Sequence, residues 1–277
     1  MNMKISPILA APLITSLAYG EILNTQLISE INFPDPQFES CILGHGATYI
    51  KDLKSLSCIK MDISSTIGIE KLTALESISF HSNQIEIIDV SNNTELVELS
   101  ITSNQLTEID LSKNPKLEFV NLFNNEIRDI DLHGKTALKE VILYYNKLTG
   151  VNLKDNPLLE NAVLSHNQLN LVNISNNSNL KYLSLDSNEL ESIDLTTNPS
   201  LINISLDYNN LTEIDVSGNF NVWELYLTNN KLTELDVSNN LELKRLAIQN
   251  NELTCENILE IETIIPKAII SSDTGCR

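Results

Sequence analysis

Positive charge is scarce in this 277-residue chain: 18 lysines and arginines stand against 37 aspartates and glutamates, a formal net charge of −19. Such a surface repels phosphate backbones, so nucleic acid is not expected as a partner. Anionic membrane surfaces are disfavoured on the same ground. Basic proteins, peptides or cations are the partners that charge alone favours, although high net charge also serves solubility. Long apolar runs are missing too. The best stretch, Ile5–Ala18, falls short of the roughly 20 residues of a bilayer-spanning helix, so no integral membrane segment is expected. No glycine-rich phosphate loop, nucleophile elbow or metal-ligand cluster occurs. The reading is therefore of a non-enzymatic protein with no cofactor and no catalytic or metal residues.

What the chain has in abundance is repetition. The stretch LVELSITSNQLTEIDLSKNPK, from Leu96 to Lys116, returns at Leu180 as LKYLSLDSNELESIDLTTNPS. Units of 21 residues begin at Leu75, Leu96, Leu117, Leu138, Leu159, Leu180, Leu201, Val222 and Leu243, nine in unbroken register. Within each unit, positions 1, 4, 6 and 11 are apolar, and position 9 is always asparagine, from Asn83 to Asn251. This is the leucine-rich-repeat pattern L-x-x-L-x-L-x-x-N-x-L. Positions 4 and 6 point the same way on a short strand. One unit has too few apolar residues for a core of its own, so neighbours must stack and share one. Asparagine carries both a carbonyl and an NH2 group, which suits a ladder bonding the backbone of its own turn and the next.

Positions 14 and 16 are apolar as well, in triplets such as Ile109-Asp110-Leu111. Twenty-one residues leave no room for an outer helix, and a β-branched alternating triplet suits a short strand. The expected fold is an α/β leucine-rich-repeat solenoid, β-rich. It is a right-handed curved coil with a concave parallel sheet, short second strands on the outer side, and a helical cap at each end.

The domain reading follows. Residues 1–20 resemble a signal peptide: Lys4 precedes the apolar stretch, and Ser16-Leu17-Ala18 supplies small residues for cleavage. Residues 21–52 form a linker and N-terminal cap, with Asp35 as helix N-cap, Pro36 at the first helical position, and Phe38, Cys41, Ile42 and Leu43 as the buried stripe. Residues 53–254 hold a degenerate first turn of 22 and the nine regular units, and 255–277 form a C-terminal cap that Pro266 punctuates. Stacked strands about 4.8 Å apart put the two ends roughly 40 Å from each other, too far for a disulfide. The four cysteines therefore pair as Cys41–Cys58 and Cys255–Cys276, if the chain is exported; in a reducing compartment they remain free thiols.

The repeats, with INFPDPQF at the front, resemble bacterial secreted or surface leucine-rich-repeat proteins of the internalin-like group. The resemblance spans about residues 31–276. It implies a secreted, periplasmic or cell-surface protein that binds another macromolecule, often a protein, through the inner curved sheet. Internalin repeats are usually 22 residues, and these are 21 with a tail close to LDLSxNP, as in IDLSKNP at Ile109–Pro115.

Positions 3, 5, 7 and 8 are assigned to the concave side, as residues alternating with the buried 4 and 6. The face begins small and polar, then changes to Phe119, Phe123, Ile142, Tyr144, Tyr145, Val163 and His166. Tyr182, Tyr208 and Tyr226 continue it, with Asp186 and Asp207 stacked at position 7. Aromatics are only 5% of the chain, so their concentration here reads as a binding hot spot. The competing reading is cross-strand packing. Ten residues form the candidate site: Phe119, Phe123, Tyr144, Tyr145, His166, Tyr182, Asp186, Asp207, Tyr208 and Tyr226. A second column, from Asp89 to Asp236 at position 15, could hold calcium, but local turn bonding is the stronger reading. His81 and His166 lie four units apart, roughly 19 Å by strand spacing, too far for a shared proton relay. The function read from this is a monomeric module binding a protein or peptide, basic by charge. The alternatives are carbohydrate binding and a cytoplasmic regulatory scaffold.

Overall fold

The structure is a computed structural model and describes residues 26–273. Thirteen strands follow in chain order. They are β1 (Ser55–Ile59), β2 (Ser77–His81), β3 (Glu98–Thr102), β4 (Phe119–Asn121), β5 (Glu140–Ile142), β6 (Gly150–Asn152), β7 (Asn161–Val163), β8 (Leu171–Asn173), β9 (Tyr182–Ser184), β10 (Asn203–Ser205), β11 (Glu224–Tyr226), β12 (Arg245–Ala247) and β13 (Ile269–Ser271). Eleven of them form one parallel sheet in which each turn adds one strand, while β6 and β8 pair separately on the outer side. Register follows the repeat: Val120 faces Val141, and Ile204 faces Leu225. Residues at positions 1, 4, 6, 11 and 16 fill the space between the two sides, as Leu117, Val120, Leu122, Ile127 and Leu132 show by their complete burial. The result is the parallel-sheet solenoid expected of a leucine-rich repeat.

Two asparagine columns brace the coils. The first is position 9. Asn104 accepts the Ile85 N–H at 3.1 Å and donates to the Phe80 and Thr102 carbonyls at 3.0 and 3.1 Å. Its partners lie in its own turn and the preceding one. The second column, at position 19, is just as buried: Asn93, Asn114, Asn156, Asn177, Asn198, Asn219 and Asn240. Asn114 donates to the Val90 and Asn93 carbonyls at 3.0 and 2.9 Å, but its own side-chain oxygen has no partner. In the third unit Lys135 replaces asparagine in this column. Its Nζ takes the Leu111 carbonyl, the group that an asparagine there would bind. Burial pulls the Lys135 ammonium below its ordinary range, against the pull of Asp110 and Asp131.

The outer side departs from expectation. Among the described residues, second strands are confined to β6 and β8, with an isolated bridge from Asp131 to Asn152. Position 15 explains the restriction: it is asparagine in these two units, Asn152 and Asn173, and aspartate in Asp89, Asp110, Asp131, Asp194, Asp215 and Asp236. Pairing adjacent turns would set like charges directly opposite one another, which destabilises a ladder. Both residue types close the same local turn, as Asp110 does by accepting the Ser112 N–H at 2.8 Å and Asn173 by accepting the Ser175 N–H at 3.1 Å.

Helix α1 (Pro36–Gly44) covers the first strand. Asp35 caps it with one carboxylate oxygen, bonded by the Gln37 and Phe38 N–H groups at 3.0 Å each. The other oxygen accepts from the backbone of Ser64 and Ser65 at 2.9 and 3.0 Å, which ties the cap to the first coil. Phe38 packs edge-on between Phe33 and Phe80. Leu43, expected in the buried stripe, is half exposed because it falls on the outer side of the helix. Cys41 and Cys58 are joined, with Cα atoms 5.8 Å apart. Among the described residues no cysteine is free. Cys276, and the signal-peptide reading of residues 1–20, lie outside the described residues. Helix α2 (Cys255–Ile264) buries Ile258 and Ile261 and leads into β13, which pairs in parallel with β12.

Candidate binding face

The concave sheet presents positions 3 and 5 by simple alternation, but position 8 is exposed for another reason. Alternation from the buried residues 4 and 6 would bury it. Instead, the eighth residue of every unit takes a left-handed conformation, from φ 53° at Ser82 to 58° at Asn229. Its N–H reaches the position 7 carbonyl of the next turn, as in Tyr145 to Ser165 at 3.2 Å and His166 to Asp186 at 2.8 Å. The kink lets the asparagine at position 9 turn inward and throws the side chain at position 8 outward. Asparagine tolerates this conformation, and bulky residues adopt it at a cost of about 1–2 kcal/mol. Seven of the ten regular and degenerate coils place Ser, Asn or Lys there; Tyr145, His166 and Tyr208 are the exceptions.

Units three to five bring four rings together. Phe123 and Tyr144 stack with centroids 4.1 Å apart, Tyr145 and His166 stack at 4.4 Å, and Tyr144 lies 5.3 Å from Tyr145. Tyr145 remains 48% exposed. Phe119 and Tyr182 stand apart at position 3, each between polar neighbours: Phe119 pairs with Glu98 and Glu140, Tyr182 with Asn161 and Asn203.

The two aspartates differ sharply. Asp186 accepts from the hydroxyls of Ser165, Ser184 and Ser205 and from the Asp207 N–H, so both its oxygens are fully engaged. It organises the sheet surface. Asp207 is half-buried and accepts the Thr228 N–H. Burial pushes its carboxyl above the ordinary aspartate range, with Asp186 adding to the rise and the Thr228 contacts opposing it. A shallow pocket of about 380 Å³ opens here, lined by His166, Asp186, Ser205, Asp207, Tyr208 and Tyr226.

Charge on this face is one-sided. In the nine regular units, positions 3, 5, 7 and 8 carry Glu98, Glu140, Asp186, Asp207 and Glu224, against one fixed cation, Arg245. Arg245 is held by Glu224 at 3.0 Å. At position 2, by contrast, acids and bases neutralise one another between turns, as in Lys139–Glu118 and Lys181–Glu160. Two larger hollows, of about 740 and 770 Å³, lie on the outer side. They are lined by the aspartate column, whose carboxylates are already bonded within their own turns, so they offer less to a ligand than the concave pocket.

One exposed apolar group escaped the sequence reading: Phe220, Trp223 and Leu241 are each more than half exposed. The signal was present, since Phe220 and Leu241 occupy position 20, where three earlier units have Pro115, Pro157 and Pro199.

The fold is a leucine-rich-repeat solenoid, similar to those of the internalins. The functional domain of InlJ from Listeria monocytogenes, which includes a cysteine ladder, matches with a TM-score of 0.77 at 26% identity over 88% of this chain and 60% of that one. An internalin of the same species, InlF, matches at 0.55 and 20% identity over 91% and 94% of the two chains. YopM, a leucine-rich effector protein from Yersinia pestis, matches at 0.62 and 24% identity over 74% and 57%. The likeness to InlF and YopM is one of fold. This chain spans about 60% of the InlJ domain, and its cysteines recur at no repeat position, so it carries no cysteine ladder. No protein-family model matches the sequence, and no curated protein does.

Proposed function

We propose that this is an exported, monomeric, non-enzymatic binding module that recognises a protein or peptide through the concave face of units three to eight. One observation carries the reading. Tyr145 and Tyr208 occupy left-handed positions where the coil needs only serine or asparagine, and both rings project into solvent. Strained, exposed aromatics contribute little to a solenoid, and such residues gather at binding surfaces. Export is supported by the Cys41–Cys58 bridge. The ring stacks beside carboxylates also suit a sugar, and the test separates the two. Wild type and the double variant Phe123→Ala/Tyr145→Asn are probed against a peptide library and a glycan array. Selective peptide binding, lost in the variant, is the expected result. Binding that survives both substitutions removes the face from consideration, and hits confined to glycans transfer it to carbohydrate recognition.

A further inference from the structure

Resting on that reading, we propose that the partner presents an extended segment with an aromatic or large apolar side chain and an arginine or lysine four residues apart. The first anchor lies over the Phe123–Tyr144–Tyr145 rings. The second enters the pocket between Asp207, Tyr208 and Tyr226.

The basic anchor follows from what each carboxylate already holds. Four donors saturate Asp186, so it has no capacity for a ligand. Asp207 forms no ion pair among the described residues, and Arg245, the one fixed cation of these columns in the nine regular units, is bound by Glu224 and Tyr226. Burial holds the Asp207 carboxyl above its ordinary range, as expected of an anion short of compensating charge. Tyr208 is 60% exposed beside it, and a guanidinium over a tyrosine face gains a cation–π contact while its N–H groups reach the carboxylate. A ligand cation here also meets the net negative field of the concave columns, from Glu98, Glu140 and Glu224.

The spacing follows from the coil. Tyr144 and Asp207 share position 7 and are separated by three turns. Parallel strands about 4.8 Å apart set these columns about 14 Å from each other. An extended chain rises about 3.4 Å per residue and directs every second side chain to one face, so residues i and i+4 span about 13.6 Å and both point down. A helix returns to the same face at i+7 or i+11, about 10.5 or 16.5 Å along its axis, and misses the pair. The ligand segment therefore crosses the strands in extended form.

The test uses the full chain, immobilised, and a displayed library of random 12-residue peptides. Enrichment of aromatic and basic residues four apart, in either order, is expected. In a synthetic peptide of that pattern, replacing arginine by neutral citrulline should weaken binding to wild type at least tenfold and to Asp207→Asn less than twofold. Asparagine keeps a carbonyl for the Thr228 N–H, so this variant should fold, which circular dichroism checks. Shortening the spacing to three should also weaken binding about tenfold. Tolerance of citrulline by wild type, or indifference to spacing, overturns the inference. Peptides that lose binding to Tyr145→Asn but bind Asp207→Asn normally sink the basic anchor and leave the concave face standing. No enrichment at all, or enrichment untouched by Tyr145→Asn, sinks both.

Discussion

Each coil turns back on itself twice, and the two arches share a plan but differ in how completely it is carried out. At the inner arch a left-handed residue at position 8 precedes the asparagine of position 9 in all nine units. At the outer arch the corresponding left-handed residue, at position 18, occurs only in Gly134, Asp155 and Asn176 of the middle units. The asparagines differ in the same sense. Those of the inner column use both ends of the amide, whereas Asn93, Asn114, Asn156, Asn198, Asn219 and Asn240 of the outer column keep an unpartnered oxygen. The inner arch is thus the invariant frame. Because its backbone bonds do not involve the side chain at position 8, that residue is free to vary, and serine, asparagine, tyrosine and histidine all appear there. Side-chain variation sits where the main chain is held most firmly.

The comparison can be broken by removing one asparagine from each arch of the same unit. Asn104→Ala strands one buried N–H and two carbonyl bonds. At about 1–3 kcal/mol for an unsatisfied group, partly relieved by relaxation, the expected loss is about 3–5 kcal/mol. Asn114→Ala removes two bonds but also an orphaned oxygen, so the loss should be about 1–3 kcal/mol. Denaturant midpoints with their slopes measure both. An equal or larger loss from Asn114 would show that the outer column holds the coil as strongly as the inner.

A smaller effect tests the outer arch from the other side. Lys135→Asn restores the interrupted column and should stabilise the protein by about 1 kcal/mol near neutral pH. The pH dependence has a definite sign. Burial lowers the folded pKa of Lys135 below its ordinary value of 10.5, so between the two values the unfolded chain binds more protons. The stability of the lysine protein therefore rises through that window, while the asparagine variant lacks this contribution. The gap between them should narrow as pH climbs toward 10.5. Constancy of the gap would mean that the ammonium reaches solvent.

How much of this was legible beforehand depends on which interactions stay inside one repeat period. Burial at positions 4 and 6 is a strand alternation, and nine copies made it plain. The asparagine of position 9 was recognisable because it never varies. Position 19 has the same spacing, but Asn93 to Asn240 is broken by Lys135 and reads as the tail of a turn. Position 8 was placed on the correct face for a wrong reason: strand alternation buries Tyr145, and only the left-handed turn exposes it. The outer strands depend on the charge of a neighbour 21 residues away, Asn152 against Asn173 and Asp131 against Asp110, which a single-unit view does not weigh. The division of labour between Asp186 and Asp207 depends on three serines from adjacent turns, Ser165, Ser184 and Ser205. It was equally out of reach from spacing alone.

The smallest effect on stability bears most directly on whether the concave rings serve the frame or a ligand. Tyr145→Asn relieves a bulky side chain of a left-handed backbone, a gain of about 1 kcal/mol. It also removes the stack on His166 at 4.4 Å and the contact with Tyr144, a loss of about 0.5–1.5 kcal/mol. The two nearly cancel, so thermal unfolding should shift by no more than about 0.5 kcal/mol equivalent. Asn124 and Asn229 already occupy this position with the same φ, so the coil has a precedent for the substitution. If the variant unfolds much more readily, the rings are packing and the tyrosine belongs to the frame. If stability holds and affinity for the selected peptides falls at least tenfold, the inner arch has separated the two tasks: position 9 keeps the coil closed, and position 8 meets the partner.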